Sequence, residues 1–550
     1  MTSSKRLRQT LQARIRTPHF VHAMVATGLG LLLWNLYRLR FFVHDDAYIS
    51  LRYARHLVDQ GDLSWNLGER VEGYTNFLHL LLVAVGIKIG VEPVAAARLV
   101  NAIALAALFG CLARGVVSLT ARATVQALAT LLSLSSYALV VWTYGALEPV
   151  MTAALLAAAL LGCLRCAREA PLLTATWTGL AFGAAYLTRP DALIQGVAAG
   201  LTLLLVARRE ERPASLPQRF RLGVCLALAP WAVVGCHVAW RIGYYGETMP
   251  NTYHAKVGMP ASVRFTSLWQ YLPESFLWLP VLAAALALGL WQLRKGARQR
   301  PELWLCGAML LAHVAYVVWS GGDHMPAARV LLPAFAPALF LVVISLDEMS
   351  ERARHAAVPL TAFVGVLLAL AGPTLKEDPP AYIGKITGAY MRDHWPAGSL
   401  VALSSAGATP YVAEDLVFLD MLGLSDRAIG KRPDVPLRLP RQRWPGHGKG
   451  DGRYVLDRQP DFIVLGIAEG LPRTRPWFLS DLELSELPEF EACYGIQRRQ
   501  IPYEVPEAQR QGVINPLNFF YYERTCPRTV PRSAPHQRER ESADTTGMRD

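Results

Sequence analysis

Charge is scarce in this sequence. Asp, Glu, Lys and Arg make up 18% of 550 residues, where soluble chains carry about 25%. The shortage is concentrated over 21–373, in apolar runs such as 149–162, 303–319 and 330–345. Repeated runs of that kind exclude an ordinary soluble core, because a bilayer-crossing helix needs about 20 apolar residues. A small-residue cleavage site is missing after the first apolar run, so that run reads as an anchor rather than a removable signal. Nucleic-acid motifs are missing as well. The net charge of +12 is therefore read as arginine at the cytoplasmic ends of membrane helices, and no nucleic-acid partner is expected. Cysteine is sparse outside the apolar region, which holds six of the eight. Cys163 and Cys166 form a CxxC in an apolar helix without further ligands, which argues against zinc or redox chemistry there.

What is present is a series of apolar segments whose sidedness follows from arginine. Lys5, Arg6, Arg8, Arg14 and Arg16 precede the first segment and hold the N-terminus in the cytoplasm. A first crossing over about 24–37 then delivers 41–74 to the outside. The next segment, 77–87, is too short to span and is expected to lie at the interface or re-enter. Further crossings are predicted near 96–118, 124–142, 150–165, 172–188, 191–207, 222–241, 272–292, 303–319, 329–346 and 357–372, eleven in all. That count keeps Arg165 and Arg168, the cluster Arg208 to Arg221, the cluster Arg294 to Arg300, and Arg352 and Arg354 inside. A crossing at 77–87 would put them all outside.

From about Lys376 the composition changes. Prolines, charges and aromatics increase and no spanning run remains. Short apolar segments at 400–404, 416–421 and 462–465 read as buried strands. The organisation predicted is a cytoplasmic tail (1–20), a transmembrane domain (21–373) with its first outer loop at 41–95, a small soluble α/β domain (374–528) and a disordered tail (529–550). Cys493 and Cys526 are the cysteines of the soluble domain, and an oxidising compartment allows them to pair.

With eleven crossings the unusual polar segments fall on the outer side, and ionisable residues at so many helix ends point to a functional site. Asp45 and Asp46 follow the first crossing and open an amphipathic stretch, 47–58. Adjacent carboxylates can divide labour, one acting as base on an acceptor hydroxyl while the other orients it, binds a metal or shifts its pKa. The plain alternative is that Asp46 caps a helix. Arg189, Lys256 and Arg329 are the candidate phosphate partners, with interfacial snorkelling as the alternative for each. Asp323 and His324 could contribute to a metal site, but two residues do not define one. Tyr48, Tyr53, Trp65, Tyr74, Tyr244, Tyr245 and Tyr253 offer sugar-stacking faces or ordinary belt aromatics.

The ordered series His44-Asp45-Asp46-Ala47-Tyr48, Trp65-Asn66-Leu67-Gly68-Glu69, Glu72-Gly73-Tyr74-Thr75, Gly145-Ala146-Leu147-Glu148, Thr188-Arg189-Pro190-Asp191, Pro250-Asn251-Thr252, Gly321-Gly322-Asp323 and Asp420 to Asp426 resembles the GT-C glycosyltransferases, in particular the mycobacterial terminal β-(1→2)-arabinofuranosyltransferases and their bacterial relatives. The likeness covers most of 40–430. It implies a GT-C fold, a polyprenyl-phosphate sugar donor, an inverting transfer outside the cytoplasmic membrane, and interfacial helices in the first outer loop. The base of that family maps onto Asp45 or Asp46. One departure is Ala146, where the relatives have glycine, which weakens any role for Glu148.

The resulting expectation is a polytopic helical membrane protein of the bacterial inner membrane, with its C-terminal domain periplasmic. It would move a sugar, arabinofuranose favoured, to a glycan or protein acceptor. Asp45 is placed first as the base. Arg189, Lys256 or Arg329 would hold the leaving phosphate. Glu72, Tyr74, Glu148, Asn251, Asp323 and His324 would contact substrate. A divalent metal is allowed but not required. The competing readings are a transporter or flippase of lipid-linked saccharides, and a structural glycan-binding envelope protein. Transporters place their charges at the bilayer midplane on repeated halves, a pattern not seen here.

Overall fold

A bilayer core offers backbone N–H and C=O groups no partner outside their own segment, so the apolar runs fold as helices. The computed structural model describes residues 3–169, 171–206, 208–209, 212–213, 215–256, 261–294, 300–506 and 512–529. The predicted tail beyond 529, with Lys295 and Arg298 of one basic cluster, lies outside the described residues.

Helix α1 (Ser3–Leu39) leads into α2 (Asp45–Gln60) and the short α3 (Phe77–Lys88). There follow α4 (Pro93–Leu119), α5 (Ala123–Leu134), α6 (Tyr137–Tyr144), α7 (Pro149–Glu169), α8 (Leu172–Thr188) and α9 (Ala192–Val206). The two-residue strands β1 (Arg208–Arg209) and β2 (Arg212–Pro213) turn the chain into α10 (Leu216–Tyr245) and the single-turn α11 (Asn251–Lys256). The bundle is completed by α12 (Ala261–Trp278), α13 (Pro280–Arg294), α14 (Pro301–Ser320), a 3₁₀ segment at Arg329–Ala334, α15 (Phe335–Glu348) and α16 (Glu351–Ala371).

Among the described residues eight helical spans are long and apolar enough to cross a membrane: Pro18–Leu39, Pro93–Leu119, Ala123–Tyr144, Pro149–Glu169, Leu216–Tyr245, Pro301–Ser320, Arg329–Glu348 and Glu351–Ala371. The other expected crossings fall short. Helices α8 and α9 have 17 and 15 residues. The run 272–292 is two helices, α12 and α13, joined at Leu279. The run 124–142 also breaks, at Ser135 and Ser136 between α5 and α6. Helix α3 has 12 residues, or roughly 18 Å at the α-helical rise, too short for a core about 30 Å thick. The central element is Arg329–Glu348, 94% buried within the bundle.

The C-terminal part opens with α17 (Pro379–His394) and builds a five-stranded sheet. Its strands are β3 (Leu400–Leu403), β4 (Val417–Asp420), β5 (Phe462–Val464), β6 (Tyr494–Ile501) and β7 (Leu517–Arg524), in the order β4-β3-β5-β7-β6. Strand β3 runs parallel to β4 and β5, and β7 is antiparallel to β5 and β6. The first three strands match the apolar segments read from sequence. The β6–β7 hairpin was not foreseen. Cys493 and Cys526, which flank it, form a disulfide. Two further short helices, α18 (Ala408–Val412) and α19 (Arg427–Lys431), face the membrane domain.

Sheet and bundle are joined through the first loop. Arg52 of α2 is buried and donates to the carbonyls of Trp65, Pro410 and Leu416. Asn66 pairs with both backbone groups of Phe418, at 2.6 and 3.1 Å, and so completes the ladder at the edge of β4. Asn251 at the start of α11 donates to the carbonyls of Gly423, Leu424 and Asp426. The chain is a polytopic helical membrane protein with a small C-terminal sheet domain seated on one end of its bundle.

Candidate active site

Helix α2 starts where His44 caps it: the Nδ1 of His44 accepts the N–H of Asp46 at 3.2 Å. The capping role considered for Asp46 thus belongs to His44. Its Nε2 faces Asp378 Oδ2 at 3.5 Å, and that same carboxylate oxygen accepts the N–H of Asp45.

The two adjacent carboxylates point apart. Asp45 is 7% exposed and accepts the N–H of Ala408 at 2.9 Å. Gly407 lies so close that a Cβ there would sit 2.4 Å from the Asp45 carboxyl carbon, so only glycine fits. Burial pushes the Asp45 carboxyl up to about 8, with Asp378 and Asp46 adding repulsion against the Ala408 and Gly407 amides. Asp46 keeps about a third of its side chain exposed. Burial would raise it too, but His44, Lys256, Arg329 and His324 together hold it below the ordinary carboxylate value.

Those groups come from distant segments. Arg329 pairs with Asp323 at 2.8 Å and lies over the Trp142 ring, whose indole N–H donates to Pro326. His324 N–H donates to Asp323, and its ring stacks on Trp444 at 6.0 Å and meets His447 edge-on at 4.7 Å. Burial and His324 push the His447 imidazole down to about 3. The loop carrying these groups is strained at Ala327 and Ala328, which have positive φ, while Gly321 and Gly322 take positive φ freely. Alanine in the left-handed region costs about 1–2 kcal/mol, and such strain clusters at functional sites. Lys256 closes α11 and packs along Gly446. Burial and Arg329 lower its pKa against Asp46 and Asp323. Among the described residues Lys256 has no carboxylate within ion-pair distance, whereas Arg329 has Asp323.

Arg189 is differently placed. It pairs with Glu148 at 3.0 Å and with Asp191 at 3.1 Å, all three nearly buried. Two carboxylates already neutralise it, so it braces the site more than it offers charge to a phosphate. Glu148 is correspondingly spent on Arg189. The departure at Ala146 has a physical meaning, since its φ is 59°, where a Cβ is unfavourable and glycine is preferred.

Tyr74, Glu72 and Asn251 lie apart from the charged cluster. Tyr74 is 3% exposed, and its hydroxyl meets that of Tyr245 at 3.0 Å, so it is a core residue without a free face for sugar. Tyr48, Tyr53, Trp65 and Tyr245 are also buried, while Tyr253 is exposed. Glu72 is locked to buried Arg241 at 2.5 and 3.1 Å. Glu72 and Asn251 do not join the charged cluster but line a separate cavity. Among the described residues no group of three or more His, Cys, Asp or Glu side chains is set to hold a metal, so Asp323 and His324 gain no third ligand. Residues missed from sequence are Trp142, Asp378, Trp444 and His447. Trp444 and His447 sit in a loop rich in glycine and proline, where nothing local marks them.

Comparison with known proteins follows the same lines. Residues 381–508 match a domain of unknown function, DUF8728. A terminal β-(1→2)-arabinofuranosyltransferase of Corynebacterium glutamicum is 32% identical over 194 residues, 32% of this chain and 26% of that protein. The chain thus matches about a quarter of the length of this curated relative. The crystal structure of ArnT from Cupriavidus metallidurans bound to undecaprenyl phosphate superposes with a TM-score of 0.50 at 15% identity, covering 75% of this chain and 88% of ArnT. The arabinofuranosyltransferase AftD from mycobacteria aligns at a TM-score of 0.43 and 14% identity, over 91% of this chain and 41% of AftD. The chain therefore has the fold of ArnT and a stretch similar to a terminal arabinofuranosyltransferase.

Proposed function

We propose that the chain is an inverting glycosyltransferase. It moves a sugar from a polyprenyl-phosphate donor to a hydroxyl of a glycan or protein, outside the bacterial cytoplasmic membrane. The observation that carries this reading is Asp46, a carboxylate about a third exposed at the opening of α2, in the field of Lys256 and Arg329, which favour its charged form. A base and two cations on one end of the bundle are what the transfer needs. The acceptor hydroxyl gives its proton to Asp46 while its oxygen attacks the anomeric carbon. The bond from that carbon to the phosphate oxygen breaks on the opposite face, and polyprenyl phosphate leaves with the electron pair. Lys256 and Arg329 stabilise the charge that builds on it. Asp45, protonated at neutral pH, ties α2 to the C-terminal domain and holds Asp46 in place. Arabinofuranose is the favoured sugar, from the sequence likeness.

The topology we propose has eleven passes, N-terminus inside and C-terminal domain in the periplasm. The polar segments at 44–46, 145–148, 188–191, 250–256 and 321–329 return to the end of the bundle that carries the sheet. That return supports reading each intervening pair of passes as a hairpin, the shorter α8, α9 and α13 included. The opposite end carries Arg122 on Asp347, Arg168 on Glu302 and Arg300 on Glu348, in keeping with a cytoplasmic face. The Cys493–Cys526 disulfide suits an oxidising compartment.

The test is transfer by purified chain in lipid nanodiscs, supplied with polyprenyl-phosphate arabinofuranose and a synthetic arabinoside acceptor. Extended acceptor and free polyprenyl phosphate in equal amounts are expected. Envelope glycans and pilins of cells lacking the chain should lose a terminal sugar by mass spectrometry. Movement of an intact lipid-linked saccharide across proteoliposomes, without cleavage, would replace this reading with the flippase one.

A further inference from the structure

The first turn of α2 is capped from the far end of the chain. A helix leaves its first N–H groups without partners of its own. In α2 each of the first three is met from outside the helix. His44 Nδ1 accepts the Asp46 N–H at 3.2 Å, and the His44 carbonyl accepts the Ala47 N–H at 3.1 Å. The Asp45 N–H goes to Asp378 Oδ2 at 3.2 Å, 333 residues later. The same oxygen lies 3.5 Å from His44 Nε2, so Asp378 also steadies the imidazole that caps Asp46. The N–H of Asp378 returns to the Val43 carbonyl at 3.0 Å and fixes the two segments against each other.

The sequence explains why this carboxylate is available. Asp378 stands at the N-cap of α17, where an aspartate ordinarily accepts N–H groups of its own helix. Here Pro379 and Pro380 follow, and neither has an N–H to give. Ala381 and Tyr382 donate to the Asp378 carbonyl instead. The side chain makes no bond to α17 and reaches across to α2. Asp46, the second residue of α2, depends on this arrangement. Among the described residues its carboxylate makes no ion pair closer than the 4.0 Å approach to His44. Its aim is therefore set by the backbone of the first turn rather than by contacts of its own.

We propose that Asp378 is a positioning residue for the transfer, capping α2 in place of its own helix and thereby aiming Asp46. The proposal rests on the glycosyltransferase reading with Asp46 as base.

Two variants separate the cap from the charge. Asp378→Ala removes both, whereas Asp378→Asn removes the charge and keeps an oxygen for the Asp45 N–H. The full chain in nanodiscs is assayed with polyprenyl-phosphate arabinofuranose and a synthetic arabinoside acceptor. Misplacing a reacting group by about 1 Å can cost about 100-fold in rate, and Asp378→Ala should lower kcat about 10-fold. Both KM values should stay within about twofold of wild type, since no ground-state contact is removed. Asp378→Asn should restore kcat. Wild-type kcat in Asp378→Ala, equal losses in the two variants, or a loss carried by KM would each overturn the assignment. Hydrogen–deuterium exchange gives a readout that needs no turnover. Amides over 44–48 should exchange about 10-fold faster in Asp378→Ala than in wild type or Asp378→Asn, with the sheet strands unchanged. Faster exchange through the sheet as well marks a general structural role and overturns the proposal. If the wild type transfers no sugar, the glycosyltransferase reading fails on its own, and the exchange over 44–48 decides the cap: protection restored by Asp378→Asn supports it, and equal exchange in all three proteins removes it.

Discussion

Replacing Asp46 by asparagine separates the two carboxylates. The side chain is partly exposed and the amide has the same shape, so the protein should insert and fold. Loss of a general base costs about 100-fold to 10,000-fold in rate, and Asp46→Asn should lose kcat in that range. Asp45→Asn should retain most turnover, because Asp45 carries a proton at neutral pH and acts through the contact with Ala408. The pH profile gives a second, independent readout. A base at Asp45, with its carboxyl near 8, would be only ~1% ionised at about pH 6, and the rate would climb roughly 100-fold before levelling off. A base at Asp46, held below the ordinary carboxylate value, is ionised throughout that range and predicts a flat profile. The flat profile ends at alkaline pH, where Lys256, depressed by burial and Arg329, loses its charge. Stability runs the other way. The folded Asp45 is raised above its unfolded value, so the fold holds an extra proton between about 4 and about 8 and loses stability as pH rises through that window. Asp45→Asn should therefore gain in Tm over wild type as pH rises to about 8. A climbing profile in wild type, with full turnover in Asp46→Asn, would refute the assignment and return the base to Asp45.

Arg329→Lys should lower kcat about 10-fold, or about 1.4 kcal/mol, because lysine cannot offer two parallel donors to a departing phosphate; unchanged kcat and KM would leave Arg329 as Asp323's partner alone. A periplasm-dependent reporter fused after Gly384 should be active and one in the loop 208–221 silent; the reverse pattern would mean that α3 crosses the membrane. Cys526→Ser should destabilise the sheet domain by about 4 kcal/mol on loop-entropy grounds, given the 33-residue separation, and reductant should do the same to wild type. Equal melting of wild type with and without reductant would show that the pair is not formed in the cell.

Parts of this architecture were legible because they depend on short-range rules. The length of 77–87 alone argues against a crossing, and it folds as a 12-residue helix. Three strands of the sheet were visible as short apolar runs. The β6–β7 hairpin was not, since Tyr494–Ile501 is largely solvent-facing and lacks an apolar alternation. The breaks have local signals, Ser136 as the N-cap of α6 and Pro280 opening α13, but both interrupt runs whose composition reads as continuous. At the site, the residue types were readable and their directions were not. Asp45 and Asp46 are neighbours about 100° apart around a helix, and what each one faces is decided by segments more than 200 residues away. Arg189 looked like a free cation until Glu148 and Asp191 closed on it. Of the aromatics offered as sugar platforms or belt residues, Tyr48, Tyr53, Trp65, Tyr74 and Tyr245 are buried in the fold.

The join between α2 and the sheet domain has a consequence for how the chain is made. Asp45 waits for Ala408, 363 residues downstream, and Arg52 waits for Pro410 and Leu416. At about 5–20 residues per second, the ribosome needs roughly 20–70 s to supply those partners. Through that interval the first loop holds a guanidinium meant for burial and a helix face meant for contact without their partners. Completion of the end that carries Asp45 and Asp46 is therefore among the last events of synthesis. Chains released before Leu416 would keep that surface unmatched, with Arg52 lacking two of its three carbonyl partners.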